Sequence, residues 1–229
     1  MIAVFPHMSF GWNEQQYEFE RRMAELMVES CRRAMPGCEV VQLTNQYTKP
    51  WDFVDRTIMK EWKRGFNFLT YLCDFYEELG ECLILDSDII VQGDLRRLAE
   101  LKADLVVPVR SFAVVADDGA SMRVQMGVCY SNSPEVWKEI KRRVAAMDRE
   151  VDRNWWGIQL VIWDMLQESV KGESKFNIKA VKHRDFNYTP KDDKDAPKDV
   201  WAIHYKGPQR KDWMLKRWGK QPQDEVGFQ

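Results

Sequence analysis

Near-continuous apolar runs recur along this chain, each followed by a segment of helical period. IAVF (2–5), CEVVQL (38–43), CLIL (82–85) and DLVVPV (104–109) show little of the alternation that marks a half-exposed strand. Strands apolar on both sides must be covered on both sides, as in a largely parallel sheet packed between helices. The intervening segments supply the helices. Residues 13–35 place Tyr17, Met23, Met27 and Cys31 near helical spacing, and Pro36-Gly37 ends the run. Residues 53–79 read as helical, with Ile58, Trp62, Phe66, Leu69, Leu72, Phe75, Tyr76 and Leu79 inward. LRRLAEL is a short helix with Asp94 as its cap. SPEVWKEIKRRVAAM is another, capped by Ser133 with Pro134 at its first position. WGIQLVIWDMLQE is apolar nearly all round and therefore buried, while VQMGVCYS, FNIKAV and VWAI read as strands. The fold class expected is α/β: a mostly parallel central sheet covered by helices, in a single domain over residues 1–229.

Composition narrows the function classes. No apolar run reaches the length of about 18 residues that a membrane span needs. The N-terminus has no basic leader, and its apolar stretch is too short for a signal peptide. The five cysteines (31, 38, 73, 82 and 129) lack CxxC spacing, and Cys82 and Cys129 lie inside strand-like runs. Reduced structural thiols in a cytoplasmic protein are the expectation. The net charge of -2 hides an asymmetry, because residues 171–220 carry fourteen Lys and Arg against seven Asp and Glu. This basic C-terminal segment suits an anionic ligand such as a nucleotide, a phosphorylated lipid or DNA, or else is a solvated surface.

The chemistry concentrates in ECLILDSDIIVQGDL, residues 81–95. Asp86 and Asp88 stand immediately beyond a buried strand, where ligands of open α/β sheets bind, and their like charges call for a cation between them. His204 stands directly after another strand, VWAI. Two carboxylates and an imidazole suit Mn or Mg when phosphate oxygens complete the shell. His204 runs on into HYKGPQRKDW, in which Gly207 permits close backbone approach and Lys206, Arg210 and Lys211 can neutralise phosphate.

These two segments resemble glycosyltransferases of the GT-A fold, especially family 8, which includes glycogenin and bacterial lipopolysaccharide galactosyltransferases. LILDSDIIVQGDL is similar to that family's DxD segment and HYKGPQRKDW to its late HxxGxxKPW motif, in the same order. The resemblance covers about residues 1–213. It implies a metal-dependent hexosyl transfer, retaining, from a nucleotide-sugar such as a UDP-sugar. Asp86, Asp88 and His204 would hold Mn2+ (or Mg2+), while Ser87, Gly207 and Lys211 or Arg210 would meet the diphosphate. Phe5, Pro6 and His7, with Met8, would lie by the nucleotide base. VQMGVCYS would be the acceptor-side strand, with Gln125 at the position of the family's asparagine. WWGIQ would sit at the family's Gly-Asp-Gln turn, where Gln159 would face the anomeric carbon; Ile158 replaces the aspartate that meets the donor sugar. Trp155 and Trp156 would stack on a sugar or pack in the core.

Two other readings compete. A nucleotide-sugar-binding protein without turnover, on the same fold, accommodates Ile158. A haloacid-dehalogenase-like phosphatase fits LDSDIIV, with Asp86 as nucleophile and Asp88 as acid, but leaves the HxxG motif unexplained. The acceptor candidates are a lipopolysaccharide or other glycan, a protein side chain, or a modified base in DNA. The last comes from the basic and aromatic mixture in KHRDFNYTPK and RKDWMLKRWGK, which also suits peripheral contact with an anionic membrane.

Overall fold

Alternate residues of the buried strands enter opposite cores, and this organises the molecule. The computed structural model describes residues 1–8, 13–63, 67–115, 121–148 and 156–219. Strands β1 (Ile2–Pro6), β2 (Glu39–Asn45), β3 (Arg56–Lys60) and β4 (Cys82–Leu85) pair in parallel in the order β3-β2-β1-β4. Beyond β4 the sheet turns mixed. Strand β8 (Val128–Ser131) runs antiparallel to β4 and to β6 (Leu105–Val115), and β7 (Ser121–Val124) is antiparallel to the far half of β6. Strand β9 (Ile178–Lys182) returns parallel to the first half of β6. Among the described residues this makes eight strands in one sheet.

Helices cover both faces. In β4, Cys82 and Ile84 enter one core while Leu83 and Leu85 enter the other. The first core is closed by α2 (Phe68–Leu79), α3 (Pro134–Ala145) and α4 (Gly157–Lys171), through Tyr71, Phe75, Trp137, Ile140, Ile162 and Met165. The second is closed by α1 (Glu14–Ala34), through Ala24, Met27, Val28 and Cys31, and by the 3-10 helix Leu95–Leu101. Helix α1 starts where the sequence indicates: Asn13 caps it reciprocally with Gln16. All five cysteines are buried and unpaired, in line with structural thiols.

Several expected elements differ. Residues 56–60 form β3 rather than part of a helix, and the helical segment begins only at Phe68. The helical spacing of Ile58 and Trp62 has another cause. Ile58 packs from an edge strand, while the Trp62 ring meets Tyr71 of α2 edge-on at 4.9 Å. Phe66 lies outside the described residues. VQMGVCYS is broken at residues 125–127, which separate β7 from β8. Ser133 precedes α3 but makes no side-chain cap bond. The short α5 (His183–Phe186) and the C-terminal α6 (Pro208–Trp218) were not read from the sequence.

A second, two-stranded unit matters most for the site. Strand β5 (Ile89–Val91) pairs antiparallel with β10 (Ala202–His204), and His204 lies opposite Ile89. Ile89 and Val91 join the α1-side core, while Ile90 and Ile203 meet Met23 and Met214 in a third cluster that seats α6 against α1. No helix among the described residues is long and apolar enough to cross a membrane.

Candidate functional site

Asp86, Ser87 and Asp88 are the turn between β4, in the main sheet, and β5, in the small one. Backbone pairing fixes both ends. The Asp86 N–H donates to the Gly127 carbonyl (2.9 Å), extending the β4–β8 ladder, and the Tyr205 N–H donates to the Asp88 carbonyl (2.9 Å), extending β5–β10. Because β10 runs antiparallel to β5, its last residue lands beside the turn. His204 Nε2 lies 3.1 Å from Asp88 Oδ1 and 3.5 Å from Asp86 Oδ2. One ligand atom from each of the three residues falls within 4.8 Å of the others. The sequence placed His204 after its strand; it is the strand's final residue.

The imidazole is held from behind. Asn187 Oδ1 sits 3.1 Å from His204 Nδ1, where it can accept an Nδ1 proton and holds the ring with Nε2 facing the carboxylates. Asn187 is fully buried. Gly127 closes the other side: a Cβ there would stand 2.3 Å from His204 Nδ1 and 2.6 Å from Asn187 Oδ1, so a glycine is required. Two carboxylates and an imidazole meeting at one place need a positive charge among them, a proton on the ring or a metal ion, and two oxygens with one nitrogen fit a divalent metal of the Mg or Mn type. The electrostatics agree. Enclosure and the Asp88 charge lift the Asp86 carboxyl above its ordinary value. Burial would lift Asp88 too, but the facing His204 and Lys211 hold it below.

Lys211, in the first turn of α6, bonds Glu20 of α1 (2.9 Å) and approaches Asp88 Oδ2 (3.9 Å). Its charge also reaches His7, which burial chiefly, and Lys211 in addition, push down to about 3. Arg210 points elsewhere: its Nε donates to the Pro190 carbonyl (2.7 Å) and its guanidinium lies over the Trp213 ring. Gly207 has φ 86° and ψ 154°, a conformation nearly closed to other residues, and starts α6 beside the site. Lys206 donates to Gln125 Oε1 (2.7 Å).

The remaining candidates are less gathered. Phe5 is packed against Trp51 in the α1-side core, and His7 lies on the Trp51 ring at 3.8 Å, both almost wholly buried; Pro6 is part-exposed. Met8 is buried in the other core. Ser87 is part-exposed in the turn. Ile158 is buried in the first turn of α4, among the helices that close the first core, with Gln159 part-exposed beside it. Trp156 precedes α4; Trp155 lies outside the described residues. The aromatic residues of the basic C-terminal segment face inward. Phe186 stacks on Trp201, and the Trp218 indole N–H donates to Tyr205. Arg110, Glu20 and Asn187, which the sequence reading did not single out, all join the site's surroundings.

A mixed sheet with an Asp-x-Asp turn at the end of a central strand, completed by a small antiparallel pair, is the GT-A fold of nucleotide-sugar enzymes. Solved structures bear this out. A glycosyltransferase involved in glycosylation of the major capsid of PBCV-1 superposes with a TM-score of 0.55 at 13% identity, over 93% of this chain and 98% of that one. The galactosyltransferase LgtC, in complex with donor and acceptor sugar analogues, gives 0.51 at 14% identity over 97% and 98%. A nucleoside-diphosphate-sugar pyrophosphorylase from Vibrio cholerae RC9 gives 0.54 at 12% identity over 94% and 100%. No protein-family profile matches the sequence, and no curated protein does.

Proposed function

We propose that this chain is a divalent-metal-dependent glycosyltransferase that moves a hexosyl group from a nucleotide-sugar, a UDP-sugar, to a glycan acceptor with retention of configuration. The fold alone does not choose, since a glycosyltransferase and a pyrophosphorylase both share it. The observation that carries the choice is the convergence of Asp86, Asp88 and His204 on one point. The family-8 resemblance at those same residues supports it.

In this reading Asp86, Asp88 and His204 would hold Mn2+ or Mg2+, which would supply Lewis acidity for a departing diphosphate. Asn187 keeps His204 in the tautomer that presents Nε2. Lys211 leaves its partly satisfied position between Glu20 and Asp88 to meet phosphate oxygen, and the backbone at Gly207 approaches closely because no Cβ intervenes. Arg210, tied to the Pro190 carbonyl, steadies the segment that carries Lys206 and Gly207. Pro6 and His7 border the base, and Gln159 faces the anomeric carbon, where its amide oxygen supports the developing positive charge. The phosphatase reading fits less well, since the imidazole beside Asp88 is unused by it.

The test is a thermal-shift screen of nucleoside diphosphates and their sugars with and without Mn2+, followed by sugar-nucleotide hydrolysis. A metal-dependent shift lost in Asp86→Ala and Asp88→Ala supports the reading; binding and turnover unchanged in both variants reject it. Ile158 favours a second reading, a binding protein without turnover, because a buried aliphatic side chain stands where the family has a sugar-contacting aspartate. Mn2+-dependent binding with neither hydrolysis nor transfer would select it.

A further inference from the structure

Beside the metal ligands, two cations share a single neutral oxygen. Arg110, on β6 and 8% exposed, donates from Nη2 to Gln125 Oε1 at 3.0 Å. Lys206 donates from Nζ to the same oxygen at 2.7 Å. The amide cannot turn away, because Gln125 is 4% exposed and its Nε2 is engaged by the Val124 carbonyl at 2.9 Å. Among the described residues neither cation forms an ion pair with a carboxylate, and the other Arg110 N–H groups have no hydrogen-bond partner. The charge of Arg210 bears on both, while Asp86 and Asp88 act on Lys206 only from beyond ion-pair distance.

Enclosing two like charges around one amide oxygen is unfavourable, because a neutral acceptor offsets only part of the lost hydration of each. The oxygen has two lone pairs and both are taken. What remains is a buried guanidinium fork with free donors and an ammonium next to it, an arrangement that recognises a carboxylate or a phosphate. Its location limits which anion. Gln125 is two residues before Gly127, where a Cβ would collide with the His204 ring, and Lys206 is two residues after His204. Lys211, with the start of α6, already serves the diphosphate in the proposed reading, so this cluster lies free for another group.

We propose that Arg110, Lys206 and Gln125 form a second anion site, beyond the diphosphate, that holds an acidic group of the sugar substrates. That group is either the carboxylate of a uronosyl donor or a phosphate on the acceptor. The proposal rests on the reading of Asp86, Asp88 and His204 as the donor site, and the experiment separates the two.

Calorimetry in Mn2+ compares UDP, UDP-glucose and UDP-glucuronate on the whole chain, wild type and Arg110→Gln, with Arg110→Lys as the charge-keeping control. A donor carboxylate predicts that UDP-glucuronate binds about tenfold or more tightly than UDP-glucose. Arg110→Gln then abolishes the difference, Arg110→Lys keeps most of it, and UDP itself is little changed. An acceptor phosphate predicts no such preference but saturable binding of inorganic phosphate to the UDP–Mn2+ complex, lost in Arg110→Gln. UDP binding with neither uronate preference nor phosphate binding overturns the second site and leaves the donor reading intact. Absence of UDP binding in Mn2+ removes both. Folding is checked by thermal midpoint: removing one of two like charges leaves it unchanged or raises it, and where Arg110→Gln fails to fold, Arg110→Met replaces it in every arm.

Discussion

His204 illustrates how much of the proposed metal centre would depend on residues that never touch an ion. Its ring is clamped by the Asn187 amide oxygen at Nδ1 and fills the space that a Gly127 side chain would need, so the direction of Nε2 is set before any ligand arrives. Replacing Asn187 by Ala is expected to lower Mn2+ affinity by about 10- to 100-fold, as removal of such a supporting group does elsewhere. Asn187→Asp, which keeps an acceptor, should restore it. Electron paramagnetic resonance titration of free Mn2+ reads this directly, and unchanged affinity in the alanine variant would refute the clamp. Gly127→Ala places a methyl group inside the ring's contact distance, so it should displace His204 and destabilise the fold by about 1–3 kcal/mol. Urea unfolding together with the same metal titration distinguishes the two effects. The triad itself was legible in the sequence, because each member borders an apolar run: Asp86 and His204 follow one and Asp88 precedes one. Asn187, Arg110 and Glu20 were not, since nothing in a sequence tells which distant polar side chain will face a given ring or ammonium.

Individual elements show where periodicity informs and where it misleads. Helix α1 and strand β4 follow their local patterns, since the capping box and the unbroken apolar run each leave one sensible conformation. Residues 56–60 do not, because an edge strand with Ile58 half-buried and a following tryptophan that folds back onto α2 reproduces a helical spacing by accident. The true start of α2 is Asn67, whose side chain accepts from the N–H groups of Leu69 and Thr70. Asn67→Ala should therefore cost about 1 kcal/mol. A shift in the denaturant midpoint with unchanged slope would confirm a capping loss, and no shift would show that the helix start is held by Trp62 and Tyr71 packing instead. Helix α6 was missed for the opposite reason: Gly207-Pro208 reads as a turn, yet proline at a first helical position is favourable and the glycine supplies the approach angle.

At the scale of the whole molecule, acid should weaken the fold through its neutral histidines. Burial, and then Lys211, push His7 down to about 3; burial, and then Arg110 and its neighbours, push His183 down to about 4. In the unfolded chain both take a proton near the ordinary value of 6.5. The unfolded state thus binds more protons at acid pH, so stability is full above 6.5 and declines as pH falls towards 4 and then 3. Thermal midpoints at neutral and acid pH, with His183→Gln removing its share of the slope, check the sign. Mn2+ at neutral pH should raise the midpoint, and Asp88→Ala should abolish that rise. The sheet class was readable because both faces of the strands are apolar; the antiparallel half was not, because strand direction is decided by connections rather than by side chains.

The small β5–β10 ribbon has a consequence for how this protein is made. Its first strand leaves the ribosome with the early half of the chain, but its second emerges only after β9 and α5. A nascent chain can therefore assemble most of the central sheet while Ile89–Val91 still waits for a partner and Asp86 and Asp88 face each other without the imidazole. The Asp86–Asp88–His204 cluster therefore forms only after β9 and α5 have been made, so a premature stop shortly before Ala202 would leave much of the sheet's sequence in place but the two carboxylates without their imidazole.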